Sequence, residues 1–448
     1  MKKTLSLISI ILLSNLIFAQ INPKKCISTN ITEKELKNNP DYKLIRQNLI
    51  SYYQENQNIN NKNQSTITIP VVVHVVHRIS HANIGTATNI SDAQIYDQIQ
   101  ILNEDYSKTN SEFANPPRNT FVNYAGNPNI KFCLATVDPL GNPTTGITRT
   151  ASSKNSWNAD DDDDSNPCYE SDGMKKTICG GIDNWDPLRY LNIWVCNLTN
   201  SGGGITAGYA YPPGLQSINS QRWKDGPVVD YQYFGTTSSS DGRTATHEIG
   251  HYLGLKHTFC ETNGCCDNDN TFFSNVDDTP PTNGVYYGPV NSNTNNNTCN
   301  DQQYGFSTDM PDMDENYMSY AQNTWMFSNG QVDMMQGTLN ASTSNGGRIN
   351  LWQNSTTITN CETNSTTNNL AANTTLRIYP NPTKGDLFIN TSEDILNISG
   401  YNIVGEKIIL NSQENNNIID ISKLSNGVYF IKIHTIKGVI TKKIILSK

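Results

Sequence analysis

Residues 246–259 read THEIGHYLGLKHTF, a stretch holding three histidines and one glutamate. On a helix, residues four apart share a face, so His247 and His251 aim two imidazoles at one point while Glu248 sits one position round. Gly254 allows the backbone to leave the helix sharply, and His257 then returns as a third nitrogen, completing the spacing HExxHxxGxxH. Three neutral imidazoles and a water make an open, catalytic zinc site, whereas a structural site is closed by four protein ligands, usually with thiolates among them. The spacing therefore predicts His247, His251 and His257 as zinc ligands and Glu248 as the general base for a water attacking a peptide carbonyl. A buried helix with merely hydrogen-bonded histidines would need all these residue types to fall at these offsets by chance. Thr244 is the expected N-cap, and Ile249, Leu253 and Leu255 supply the anchoring apolar face.

Working outward, TITIPVVVHVVH (66–77) is a β-branched run that reads as a strand opening the main fold, with His74 and His77 as structural residues along it. SDAQIYDQIQILNEDY (91–106) repeats Ile95, Ile99, Leu102 and Tyr106 at helical spacing behind a capping Ser91. IKFCLATV (130–137) and LNIWVCNL (191–198) read as further strands, so this region mixes sheet and helix. The aspartate run 160–164 repels itself and reads as a solvated loop rather than a calcium site.

The chain of 448 residues is long enough for two or three cores. Residues 1–19 carry two lysines, a short apolar run and Ala19, the pattern of a cleaved signal peptide; no later segment is long and apolar enough for a transmembrane span. Residues 20–65 are polar, with a weak helical pattern in DYKLIRQNLISYYQ (41–54), and read as a propeptide ahead of a domain at 66–352. Residues 353–375 have the composition of a linker, and 376–448 alternate with period two between turn signals, as a small antiparallel β-domain does. A net charge of −9 with no basic stripe excludes nucleic acid as a partner. Of ten cysteines, eight (Cys133, Cys168, Cys179, Cys196, Cys260, Cys265, Cys266, Cys299) fall in the middle region, enough for four bridges there, while Cys26 and Cys361 flank it.

With ENYMSY (315–320) downstream of the histidine motif, the chain resembles the metzincin metalloproteases, in which a methionine turn underlies the zinc; Met318 is the matching residue. The closer resemblance is to the pappalysin family, carried by IPVVVHVV, IKFCLA, LNIWVCNL, GYAYPP, GRTATHEIGHYLGLKHTF, VDDTPP and NYMSY in that family's order over residues 66–345. The resemblance implies an α+β protease domain, a mixed twisted sheet with backing and active-site helices; the alternating region after it is expected to form a small all-β sandwich. It implies Tyr320 as a mobile tyrosine that contacts the metal or the oxyanion, and Cys26 as a thiolate closing the zinc site in a latent zymogen. It also implies calcium near the loop after the third histidine, where Asp267, Asp269, Asp277, Asp278 and Thr279 offer oxygen donors. An ordinary disulfide for Cys26, with Cys361 as the candidate partner, is the alternative to the thiolate. Ala321, Gln322, Asn323 and Thr324 are uncharged where arginine-preferring relatives carry an acid, so that preference is not implied here.

LRIYPNPTKGDLFINTS, KLSNGVYFIKI and KKIILSK, within 376–448, look like the sorting domain of the type IX secretion system, which implies that machinery as a partner and a secreted or cell-surface location. The expected activity is zinc-dependent cleavage of protein or peptide substrates. The alternative, an adhesin with a non-catalytic protease-like domain, sits poorly with an intact set of ligands and base.

Overall fold

The computed structural model describes residues 24–56, 65–160, 168, 171–261, 266, 276–353, 377–381, 383–390, 395–402, 407–408, 410–412, 418–435 and 438–448. The expected signal peptide, Cys361, Asp267, Asp269 and the aspartate run beyond Asp160 lie outside them.

The apolar run read from the sequence becomes the central strand β2 (Ile67–Arg78), enclosed on both faces as its composition requires. It pairs in parallel with β3 (Ile130–Leu134) and then β4 (Ile147–Ser152) along one edge, and with β6 (Leu191–Cys196) along the other. β9 (Val228–Asp230) adds to β6, β8 (Thr206–Tyr209) joins β9 antiparallel, and β1 (Lys24–Cys26) completes the mixed sheet by pairing in parallel with β8. β5 (Trp157–Asn158) and β7 (Leu198–Thr199) form a separate two-stranded ladder.

The period-two alternation of β2 sends Ile69, Val71, Val73 and Val75 to one face. There they meet α3 (Asp92–Asp105) through Ile95 and Leu102, α4 (Arg243–Tyr252) through Ala245 and Ile249, and α5 (Asn329–Asn340) through Leu339. Each such valine, leucine or isoleucine contributes about 1.5–3 kcal/mol of burial. α6 (Ile349–Gln353) closes this layer with Leu351. On the opposite face Val76, Trp194 and Tyr209 pack with Trp157, Met174 and, from the N-terminal segment, Ile27, Ile31 and Tyr42. That segment contributes α1 (Ser28–Asn38) and α2 (Pro40–Asn56). Tyr42 of α2 donates to the Pro212 carbonyl at 3.2 Å and Arg46 to the Pro213 carbonyl at 2.9 Å.

Ser91 caps α3 as expected, accepting from the Gln94 amide at 3.1 Å. Two expectations need correction. Thr244 is not the cap of α4: the helix starts at Arg243 behind Gly242, whose φ of 83° lets the chain turn out of the preceding loop without a side-chain cap. The eight middle cysteines do not close four bridges among themselves. Cys168–Cys179 and Cys266–Cys299 are bridged and Cys133 and Cys260 are disulfide-bonded, but Cys196 is a free thiol. It ends β6 fully enclosed beside Trp194 and Leu198, where it serves as a small apolar core residue.

The C-terminal region forms two antiparallel four-stranded sheets. One orders β10 (Arg377–Tyr379), β11 (Asp386–Asn390), β15 (Ile418–Asp420) and β14 (Asn411–Ser412); the other orders β13 (Lys407–Ile408), β12 (Ile395–Asn402), β16 (Gly427–Thr435) and β17 (Gly438–Leu446). Leu387, Ile389 and Ile419 from the first share a core with Ile431, Ile433 and Ile444 from the second, the sandwich that the alternation predicted.

Candidate active site

Helix α4 is held from both ends. Near its start the Asp105 carboxylate accepts from the Thr246 hydroxyl at 2.7 Å and the Tyr317 hydroxyl at 2.6 Å, and burial pushes that carboxyl up to about 6 despite the nearby Arg243 guanidinium. At its end Arg348 donates to the Tyr252 carbonyl at 3.0 Å while forming a fork with both oxygens of Asp225 at 2.8 Å. Every residue from Ala245 to Tyr252 is buried. Beyond the helix, Gly254 takes a φ of 108°, the turn that the sequence required of it.

These constraints bring the three histidines together. The Nε2 atoms of His247, His251 and His257 lie 3.1 Å from one another along all three sides. A tetrahedral zinc with bonds of about 2.0–2.1 Å would place ligand nitrogens about 3.3 Å apart, so the donor set fits that ion closely. Burial, then the neighbouring His257, holds the His251 imidazole neutral by pulling its pKa down to about 3, the state a metal ligand needs. Glu248 is wholly enclosed, and burial pushes its carboxyl up to about 8. Its Oε1 has no hydrogen-bond partner, an orphaned polar atom of the kind that marks a place for a further group.

The N-terminal segment enters this site. Cys26 Sγ, a free thiol, joins the three histidines in a group whose donor atoms all lie within 4.8 Å of one another. The next contact was not foreseen: Ser28 Oγ accepts from the Ala210 amide at 2.9 Å and donates to Glu248 Oε2 at 3.1 Å. Thr29 donates to Glu261 at 2.8 Å, and Glu261 in turn holds His257 Nδ1.

The peptidase family of pregnancy-associated plasma protein-A matches residues 174–340, and a secretion-system C-terminal sorting domain matches residues 377–447. A promirolysin mutant of Tannerella forsythia is 34% identical, with a TM-score of 0.57, over 75% of this chain and 99% of that one. Mature mirolysin from the same organism, in complex with a cleaved peptide, is 37% identical with a TM-score of 0.51 over 65% of this chain and 97% of that one. An extracellular metalloprotease of Arthroderma gypseum is 28% identical over 278 residues, 61% of this chain and 72% of the relative. The chain belongs to the pappalysin family. It is a zinc metalloendopeptidase of the metzincin type, and its C-terminal sorting domain marks it for type IX export.

The other residues singled out by resemblance to the pappalysins fall as follows. Met318 is fully buried beneath α4, its sulfur 2.4 Å from where a Cβ on Gly250 would stand. Tyr320 places its hydroxyl 3.2 Å from His257 Nε2 and 3.5 Å from the Cys26 carbonyl, to which it donates. Of the calcium candidates that are described, Asp278 accepts from the Ser328 hydroxyl at 2.6 Å and the Gly330 amide at 2.8 Å, so its carboxylate serves the start of α5. Thr279 donates to the Val276 carbonyl, and Asp277 is exposed. Among the described residues no helix is long and apolar enough to cross a membrane. Ser28 and Glu261 left no signal in the sequence beyond being polar residues next to a motif, because their partners are set by the fold.

Proposed function

We propose that the enzyme cleaves peptide bonds with a metal held by His247, His251 and His257, with Glu248 as general base and Tyr320 as a donor to the oxyanion, and that residues 20–65 keep it latent. The observation that carries this reading is the triangle of Nε2 atoms, 3.1 Å on each side, beside the unpartnered Glu248 Oε1. Zinc bound there supplies Lewis acidity, lowering the pKa of a water toward about 7. Glu248, raised by burial, takes the proton from the attacking water and can return it to the leaving amine. β1 covers one side of β8, so removal of the N-terminal segment leaves β8, with its neighbour Ala210, as an edge strand whose backbone groups can pair with an extended substrate.

Latency follows from how the N-terminal segment uses the same groups. Cys26 supplies the fourth donor, and Ser28 occupies both Glu248 and the Ala210 amide. Burial and the facing Glu248 push the Cys26 thiol up, so it gives up its proton only beside a cation. Similarity to a solved proenzyme, over 75% of this chain against 65% for a mature form, is in keeping with synthesis as a proenzyme.

The test is casein cleavage by full-length and processed protein. Processed enzyme should cleave and be silenced by a chelator, Glu248→Gln should lose at least about 10³-fold in kcat, and Cys26→Ser with Ser28→Ala should make the unprocessed chain active. Binding of casein without cleavage would instead indicate an adhesin. Calcium enters this reading only as a structural ion held by oxygen donors among residues 267–279; full recovery after chelation with zinc alone would remove it.

A further inference from the structure

Each imidazole of the triangle uses its Nδ1 to fix the direction of its Nε2, but not with the same kind of partner. His247 Nδ1 pairs with the Tyr317 carbonyl at 2.7 Å and His251 Nδ1 with the Leu255 carbonyl at 2.8 Å. Both are backbone groups held by the fold. His257 lies past the helix end, and its Nδ1 meets a side-chain carboxylate, Glu261. The His257 ring also stacks on Phe259, centroids 4.7 Å apart with planes 9° from parallel. Stacking fixes the ring plane but not which edge faces inward, since a half-turn of the ring keeps the same stack. A hydrogen-bond acceptor beside Nδ1 removes that ambiguity.

We propose that Glu261 is the positioning residue of the third ligand: it keeps the His257 proton on Nδ1, turns Nε2 toward the metal, and strengthens that nitrogen as a donor. The proposal rests on the zinc reading above. A carboxylate behind a ligating histidine raises the ligand's basicity as well as orienting it, which a neutral carbonyl does more weakly. It also places one negative charge beside a site whose three ligands are neutral. In the latent form Thr29 donates to the same carboxylate oxygen, at 2.8 Å, so the N-terminal segment touches the metal position, the base and the support of the third ligand through Cys26, Ser28 and Thr29. Removal of that segment takes Thr29 away and leaves Glu261 with His257.

The experiment measures zinc affinity of the full chain by competition with a chromophoric chelator, for the unmutated protein, Glu261→Ala and Glu261→Gln, alongside the visible spectrum of each after cobalt substitution. Glu261→Ala should bind zinc about 10–100-fold more weakly and change the cobalt spectrum. Glu261→Gln, which still accepts from Nδ1–H, should recover part of that loss. Zinc affinity of Glu261→Ala within twofold of the unmutated protein overturns the proposal, and so do equal losses in the two variants. Unmutated protein that takes up no stoichiometric zinc would instead overturn the zinc reading itself, and this proposal with it.

Discussion

At the scale of single residues, the site depends on close approaches that leave no slack. Gly250 sits on the face of α4 above the methionine turn, and Met318 fills the space a side chain there would need. Because Met318 is itself fully buried, its sulfur cannot retreat into solvent. Gly250→Ala should therefore cost about 1–3 kcal/mol by overpacking and lower activity with it; an unchanged denaturant midpoint would show that the turn yields freely. The identity of the histidines and Glu248 was legible because a helix converts fixed offsets in sequence into a fixed direction in space. Ser28 was not legible: its partner Glu248 is 220 positions away, and nothing local distinguishes it from the other polar residues around it.

At the scale of elements, β2 shows how a buried polar residue can bind a sheet together. His74 is enclosed between three strands, with Nδ1 2.7 Å from the Thr148 hydroxyl of β4 and Nε2 2.9 Å from Asn192 Oδ1 of β6. An imidazole that donates to Asn192 and accepts from Thr148 is neutral, and burial holds it so by pulling its pKa from 6.5 down to about 4. The folded state thus binds fewer protons than the unfolded chain between those values. This contribution is complete above pH 6.5 and is lost as pH falls toward 4, amounting to about 2 kcal/mol between pH 7 and pH 5. His74→Gln should flatten that part of the pH profile, read from fluorescence of the adjoining Trp194, whose ring centroid is 5.2 Å from the imidazole. An identical slope in both proteins would move the effect elsewhere. The structural role of His74 was expected from its alternation with valines; that it joins β4 to β6 was not, since pairing of strands distant in sequence is decided by the sheet.

For the whole molecule, cleavage and export reside in separate stretches of chain: the peptidase family match ends at residue 340 and the sorting match begins at 377. A chain ending at Thr375 should keep chelator-sensitive protease activity yet remain with the cells. Normal secretion of that truncated chain would assign the C-terminal sandwich to binding instead. The N-terminal segment is integrated differently. Its strand β1 extends the protease sheet, and Ile27, Ile31 and Tyr42 enter the protease core, which is why a polar, weakly patterned sequence takes on a defined fold.

By itself the sequence determined the helix with its histidine spacing, the sharp exit at Gly254, the apolar central strand and the period-two sandwich, because each follows from local geometry repeated over a few residues. Tertiary structure alone decided that Cys196 stays unbridged, that Gly242 and not Thr244 begins α4, and that Ser28 and Glu261 reach the histidine site. Those outcomes depend on which distant atoms are brought within about 3 Å of one another, and hydrogen bonds and disulfides form only at such contact distances.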